Sequence, residues 1–133
     1  MNTENNAILH IEEIPDEDIV YRRIHKNHID NEDKSILPVA FPTEEDGLSV
    51  NWAKYSTPQE TKNEATFFSK DPNSYGIVSL KVGSVRNIPL RVIHSPRLYN
   101  ISHSSILDIP PRKPNDLGIR LKLRNICSWI IHI

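Results

Sequence analysis

The sequence predicts an α+β fold, a small antiparallel or mixed sheet with a capped mid-chain helix and a C-terminal helix. Three observations carry that expectation. Several short segments alternate apolar and polar residues at the two-residue strand period. Thr57-Pro58-Gln59-Glu60 has the form of a capping box. The C-terminal stretch places Ile119, Leu123, Ile126, Ile130 and Ile133 on one helical face. Strands followed by segregated helices suit α+β rather than a repeating βαβ pattern. The 133 residues are enough for one domain. Ile, Leu, Val and Phe make up 38 of them, enough to build a core without disulfides. Residues 1–6 are polar and read as a flexible N-terminus. Residues 7–133 read as one α+β domain with a long Pro-rich loop at 95–116.

Taken in order, Ala7 to Ile14 reads as a short strand or one helical turn, stopped by Pro15. Ile19 to Ile24 favours a strand through its aromatic and β-branched residues, with an acidic-capped helix as the rival. Ile36 to Phe41 reads as an edge strand, because Pro38 cannot donate to a ladder. Pro42 to Gly47 is a turn in which Gly47 is free to take positive φ. Leu48, Val50 and Trp52 alternate with Ser49, Asn51 and Ala53, the pattern of a half-buried strand. The capping box then opens a helix expected to run to about Phe68. Gly76 to Val82 and Leu90 to His94 read as strands separated by Asn87-Ile88-Pro89. Residues 95–116 read mostly as loop, with one helical turn around His103 to Leu107. Ile119 to Ile133 fits both a strand and a helix at its start, but the helical template explains more residues, with Asp116 near its N-terminus.

Composition narrows the function. A single cysteine, Cys127, excludes an internal disulfide and a thiolate zinc site, and reads as a buried, inert thiol. No apolar run approaches the ~20 residues needed to span a bilayer. The N-terminal run carries no positive charge and leads into no long apolar stretch, so it does not read as a secretory signal, and the expectation is a cytoplasmic protein. No Gly-rich phosphate loop, nucleophile elbow or dinucleotide fingerprint is present. The net charge of -1 conceals a split: residues 1–67 carry 14 acidic and 6 basic side chains, residues 68–133 carry 3 acidic and 10 basic. Either the two halves attract each other, or the basic half meets an anionic partner.

Three clusters carry candidate chemistry. In the first, His94 and His103 flank Arg97 and Asn100, with Arg91 just upstream. Two imidazoles and a cation suit metal-free cleavage of RNA: one histidine as base, one as acid, the guanidinium against the phosphorane, Asn100 as positioning donor. The plainer reading is one packed and one solvated histidine. In the second, Arg22 and Arg23 suit bidentate phosphate recognition. His25 and His28 beside them offer a metal pair with Asp30, against the plainer reading of a solvated basic face; no metal or cofactor is expected. In the third, Trp52 and Tyr55 flank Lys54 just before the capped helix, a corner suited to stacking a base, or simply a packed strand-to-helix junction. Arg120, Lys122 and Arg124 read as the solvent face of the last helix.

The leading expectation is a small protein binding an anionic partner, nucleic acid or nucleotide, through Arg22, Arg23, Lys54, Trp52, Tyr55 and Arg91, as an accessory subunit of a larger assembly. The alternatives are a metal-independent ribonuclease or phosphodiesterase using His94, His103, Asn100 and Arg97, and an inhibitor-like protein. The last would dock a basic protein partner through Asp16-Glu17-Asp18 and Glu44-Glu45-Asp46. A homo-oligomer is compatible with each, and no membrane contact is expected.

Overall fold

The computed structural model describes residues 9–111 and 117–133. The N-terminal segment 1–6 and residues 112–116 of the Pro-rich stretch, Asp116 included, lie outside the described residues. Six strands, β1 (Ile19–His25), β2 (Leu48–Trp52), β3 (Tyr75–Lys81), β4 (Arg91–His94), β5 (His103–Leu107) and β6 (Ser128–Ile131), form one antiparallel sheet in the order β4-β5-β2-β1-β3-β6. The helices are α1 (Pro58–Asn63), α2 (Val82–Arg86) and α3 (Leu117–Ile126), with short 3-10 turns between. This is the α+β architecture that the alternating segments and the capping box predict.

Alternation gives the sheet two unlike faces. Val20 and Ile24 of β1, Leu48, Val50 and Trp52 of β2, Val78 and Leu80 of β3, Val92 of β4 and Ile106 of β5 point to one side. They pack with Ile14, Phe41, Val82, Val85 and Leu123 into the main core. The opposite face carries Tyr21, Arg23 and His25 of β1, Ser49 and Asn51 of β2, and His103 and Ser105 of β5. The same face carries the buried Ile77 of β3, and most of its polar residues line a cavity.

The capping box forms as expected. The Glu60 amide donates to Thr57 Oγ1 at 3.1 Å, and the Thr57 amide to Glu60 Oε1 at 2.9 Å. The helix tightens into a 3-10 turn over Glu64–Phe68 and stops at Ser69, whose φ of +59° reverses the chain. Gly47 takes positive φ, +92°, which brings it against Leu107 and Ser105 of the neighbouring strand.

Six expectations need correction. Ile36–Phe41 contributes one bridge residue, Ile36, and a 3-10 turn over Pro38–Ala40, so it joins no strand of the sheet. Residues 9–14 run without regular structure. Val82–Arg86 is a helix that the strand-like alternation up to Val82 hides. Residues 95–107 are not an irregular loop: Arg97 and Asn100 pair across a tight turn tipped by Leu98 and Tyr99, and β5 returns beside β4. The tail divides, with a helix to Ile126 and then an edge strand, β6, that covers the free side of β3. Arg120, expected on the solvent face, is 2 % exposed. Its guanidinium donates to Phe41 O at 2.9 Å, to Thr43 Oγ1 at 2.8 Å and to Pro110 O at 3.0 Å.

Candidate functional site

A cavity of about 510 Å³ lies between the polar face of the sheet, α1 with its 3-10 extension, and the β4–β5 turn. Its volume is in the range of small-ligand sites. Among the described residues Arg22, Arg23, Lys70 and Arg97 bring cationic side chains to it, and His25, His28 and His103 bring imidazoles, while Glu64 is its one carboxylate. Tyr21, Phe68, Tyr75 and Tyr99 supply aromatic surface.

The floor is a closed polar network. Asn51, 4 % exposed, donates through Nδ2 to Glu64 Oε1 at 2.9 Å and to Thr61 Oγ1 at 3.1 Å. Its Oδ1 accepts from Asn100 Nδ2 at 2.9 Å, and Asn100 also donates to Glu64 Oε1 at 3.2 Å. Asn100 Oδ1 in turn accepts from the Ser102 amide and hydroxyl. One network therefore locks β2, α1 and the β4–β5 turn together. Such satisfied polar clusters fix one arrangement, because any alternative leaves buried donors unpaired.

Arg23 belongs to this frame. Its Nη1 donates to Thr61 O at 2.9 Å and lies 3.6 Å from Glu64 Oε1, with the guanidinium over the Phe68 ring at 5.7 Å. Burial lowers its pKa, against the opposing pull of Glu64. Arg22 starts on the core face and enters where β1 and β2 part after the Tyr21–Asn51 pair. There it donates to Ser49 O at 2.9 Å and to Ala40 O at 2.9 Å through Nη2, in place of ladder bonds. Burial pushes Arg22 down to about 10, which leaves it cationic at neutral pH. Arg97 and Lys70 differ from both: their side chains make no hydrogen bond or ion pair with the described residues.

His103 is fixed at the β2–β5 border. Its Nδ1 lies 2.9 Å from Ser95 O and 3.0 Å from Ser95 Oγ, and its Nε2 lies 3.1 Å from Ser49 Oγ. Burial lowers its pKa below the usual imidazole value, and the Arg97 charge adds to that.

The sequence-predicted residues therefore divide. Arg22, Arg23, Arg97, Asn100 and His103 converge on the cavity. His94 does not, because it faces the core from β4, 3 % exposed, on the opposite side of the sheet from His103. Its Nδ1 accepts from the Glu12 amide at 3.0 Å and its Nε2 lies 2.7 Å from Ile101 O. The fold therefore does not bring His94 and His103 together on one face, as the acid and base pair read from the sequence would need. Trp52, Lys54 and Tyr55 also lie away from the cavity. Trp52 is 1 % exposed and donates Nε1–H to Asp18 at 2.9 Å. Lys54 pairs with Glu12 at 2.5 Å and the Tyr55 hydroxyl donates to the same carboxylate, which closes the aromatic corner with the N-terminal segment. Those two hydrogen bonds, Lys54 first, hold Glu12 below the usual carboxylate range. Arg91 sits on the edge strand in a two-point pair with Asp108 at 2.8 and 2.9 Å.

Asp30 bonds the Glu32 and Asp33 amides, and no group of three or more His, Cys, Asp or Glu among the described residues is placed to hold a metal. Cys127 is partly buried, and burial raises its thiol to about 12. Asp16 pairs with Arg86 at 2.6 Å, so two members of the acidic Asp16–Asp18 run are engaged within the chain.

Sequence reasoning missed Ser49, Glu64, Phe68, Lys70, Tyr75 and Tyr99. Ser49 was findable, since it lies on the polar side of an otherwise core-facing strand. The others come together only through the reversal at Ser69 and the turn at Arg97–Asn100. Comparison with protein-family models, curated proteins and solved structures gave no match. No helix among the described residues is long and apolar enough to cross a membrane.

Proposed function

We propose that this cavity binds a nucleotide, free or at the end of a nucleic-acid strand, with phosphate against Arg97 and Lys70 and the base against Tyr99 and Phe68. The observation that carries the reading is the pair of cations, Arg97 and Lys70, which have no counter-ion among the described residues, beside a cavity whose one described carboxylate, Glu64, is already committed to Asn51, Asn100 and Arg23. Cations facing such a space favour an anion, and guanidinium and ammonium groups are the usual phosphate partners. Tyr99 and Phe68, 64 % and 51 % exposed, offer aromatic faces of the kind on which bases stack. Arg23 and Arg22 add fixed positive charge behind them.

Calorimetric titration with a nucleoside monophosphate and with a short oligoribonucleotide, at rising salt, tests this and separates the two sources of phosphate. Binding is expected at low salt, with log affinity falling as salt rises. Each of R97E and K70E is expected to weaken it about tenfold or more, the loss of roughly one charge-assisted hydrogen bond, with thermal stability retained. Absence of binding at low salt, or affinities indifferent to both reversals, contradicts the proposal.

A further inference from the structure

We propose that Ser49 is a nucleophile and His103 its general base, so that the cavity cleaves a phosphodiester of the nucleotide it binds. This rests on the binding reading above. The two side chains stand on the cavity face of adjacent strands, where Ser49 pairs with Ser105 and Asn51 with His103 in the ladder. Ser95 O is a carbonyl and only accepts, so the imidazole proton is on Nδ1 at 2.9 Å from it. Nε2 then holds a lone pair, and the Ser49 hydroxyl donates to it across 3.1 Å. A hydroxyl bonded to a base that a third group orients is the arrangement nucleophilic catalysis requires. The Ser49 side chain has no other hydrogen bond among the described residues, and the residue is exposed at the cavity while His103 is 9 % exposed. The lowered imidazole pKa keeps the base neutral near pH 7. Arg97 and Lys70 supply the positive charge that a phosphoryl transition state needs.

In the first step the Ser49 Oγ–P bond forms as the P–O bond to the leaving alcohol breaks. The Oγ proton passes to His103 Nε2 and from there to the leaving oxygen. In the second step water attacks phosphorus, gives its proton to Nε2, and the Oγ–P bond breaks with return of the proton to Oγ. One imidazole serves both steps, so His94 has no part in them.

The test uses the p-nitrophenyl ester of thymidine monophosphate, following p-nitrophenolate release and, after acid quench, the mass of the peptide holding Ser49. Turnover with a nucleotidyl adduct on Ser49 is expected. S49A is expected to lower turnover about 100-fold or more while still binding nucleoside monophosphate. H103Q is expected to lower it similarly and to abolish the rise of rate with pH through the imidazole range. Binding without turnover or adduct, or turnover unchanged in S49A, overturns this inference and leaves the binding reading intact. Failure of the native protein to bind nucleoside monophosphate overturns both.

Discussion

Asn51 and His103 face each other across the β2–β5 ladder, and each is placed on the polar side of the sheet by alternation alone. Asn51 is the more constrained, since its side-chain oxygen and nitrogen tie Asn100, Thr61 and Glu64 into one network. For His103 the consequence is a dependence on acidity. Its native pKa lies below the unfolded imidazole value of about 6.5, so the unfolded chain binds a proton more readily. Stability therefore declines as pH falls through about 6.5 and goes on declining until the native imidazole also titrates. His28, lowered by burial and by the nearby His25 and Arg22, acts with the same sign. Urea unfolding between pH 8 and pH 5 checks this. The H103Q variant is expected to lose less stability over that interval than the native protein, and an identical pH slope in the two contradicts the assignment. The sequence marked His103, Arg97 and Asn100 as neighbours with chemistry. It could not show that His94, nine residues earlier, would turn to the other face, because strand alternation becomes readable only once the chain from 95 to 107 is known to be a hairpin.

At the scale of elements, α1 was the most legible part of the chain because its start is written locally. Thr57, Pro58 and Glu60 satisfy the first helical amides without help from the rest of the fold. The T57A substitution is expected to cost about 1 kcal/mol, seen as a lower urea midpoint with an unchanged slope. An unchanged midpoint would mean that tertiary contacts alone hold the helix. The β5 strand was illegible for the opposite reason. His103-Ser104-Ser105 has little strand propensity of its own and is held by its neighbours. Ser104 is buried between Val50 and His94, and Ser105 shares a 2.7 Å hydrogen bond with Ser95. The helix-to-strand change at Cys127 has a similar origin. The apolar spacing continues past Ile126, but β3 presents a free edge that β6 fills. Tertiary pairing overrides periodicity there, and no local signal announces it.

For the whole molecule, the ion pairs do not simply join the acidic half of the chain to the basic half. Asp16 meets Arg86 across the two halves, whereas Lys54 meets Glu12 and Arg91 meets Asp108 within one half. What folding does instead is gather Arg22 and Arg23 from the acidic half with Lys70 and Arg97 from the basic half around one cavity. The aromatic corner at Trp52 and Tyr55, the other surface the sequence offered to an anion, is occupied by Glu12. The nucleotide site we propose is this cavity, and amide-resolved NMR during titration with uridine monophosphate tests that directly. The account predicts shifts concentrated at Phe68, Lys70, Arg97, Tyr99 and His103, and small away from the cavity. Shifts centred on Trp52, Lys54 and Tyr55, or none at saturating nucleotide, would contradict it.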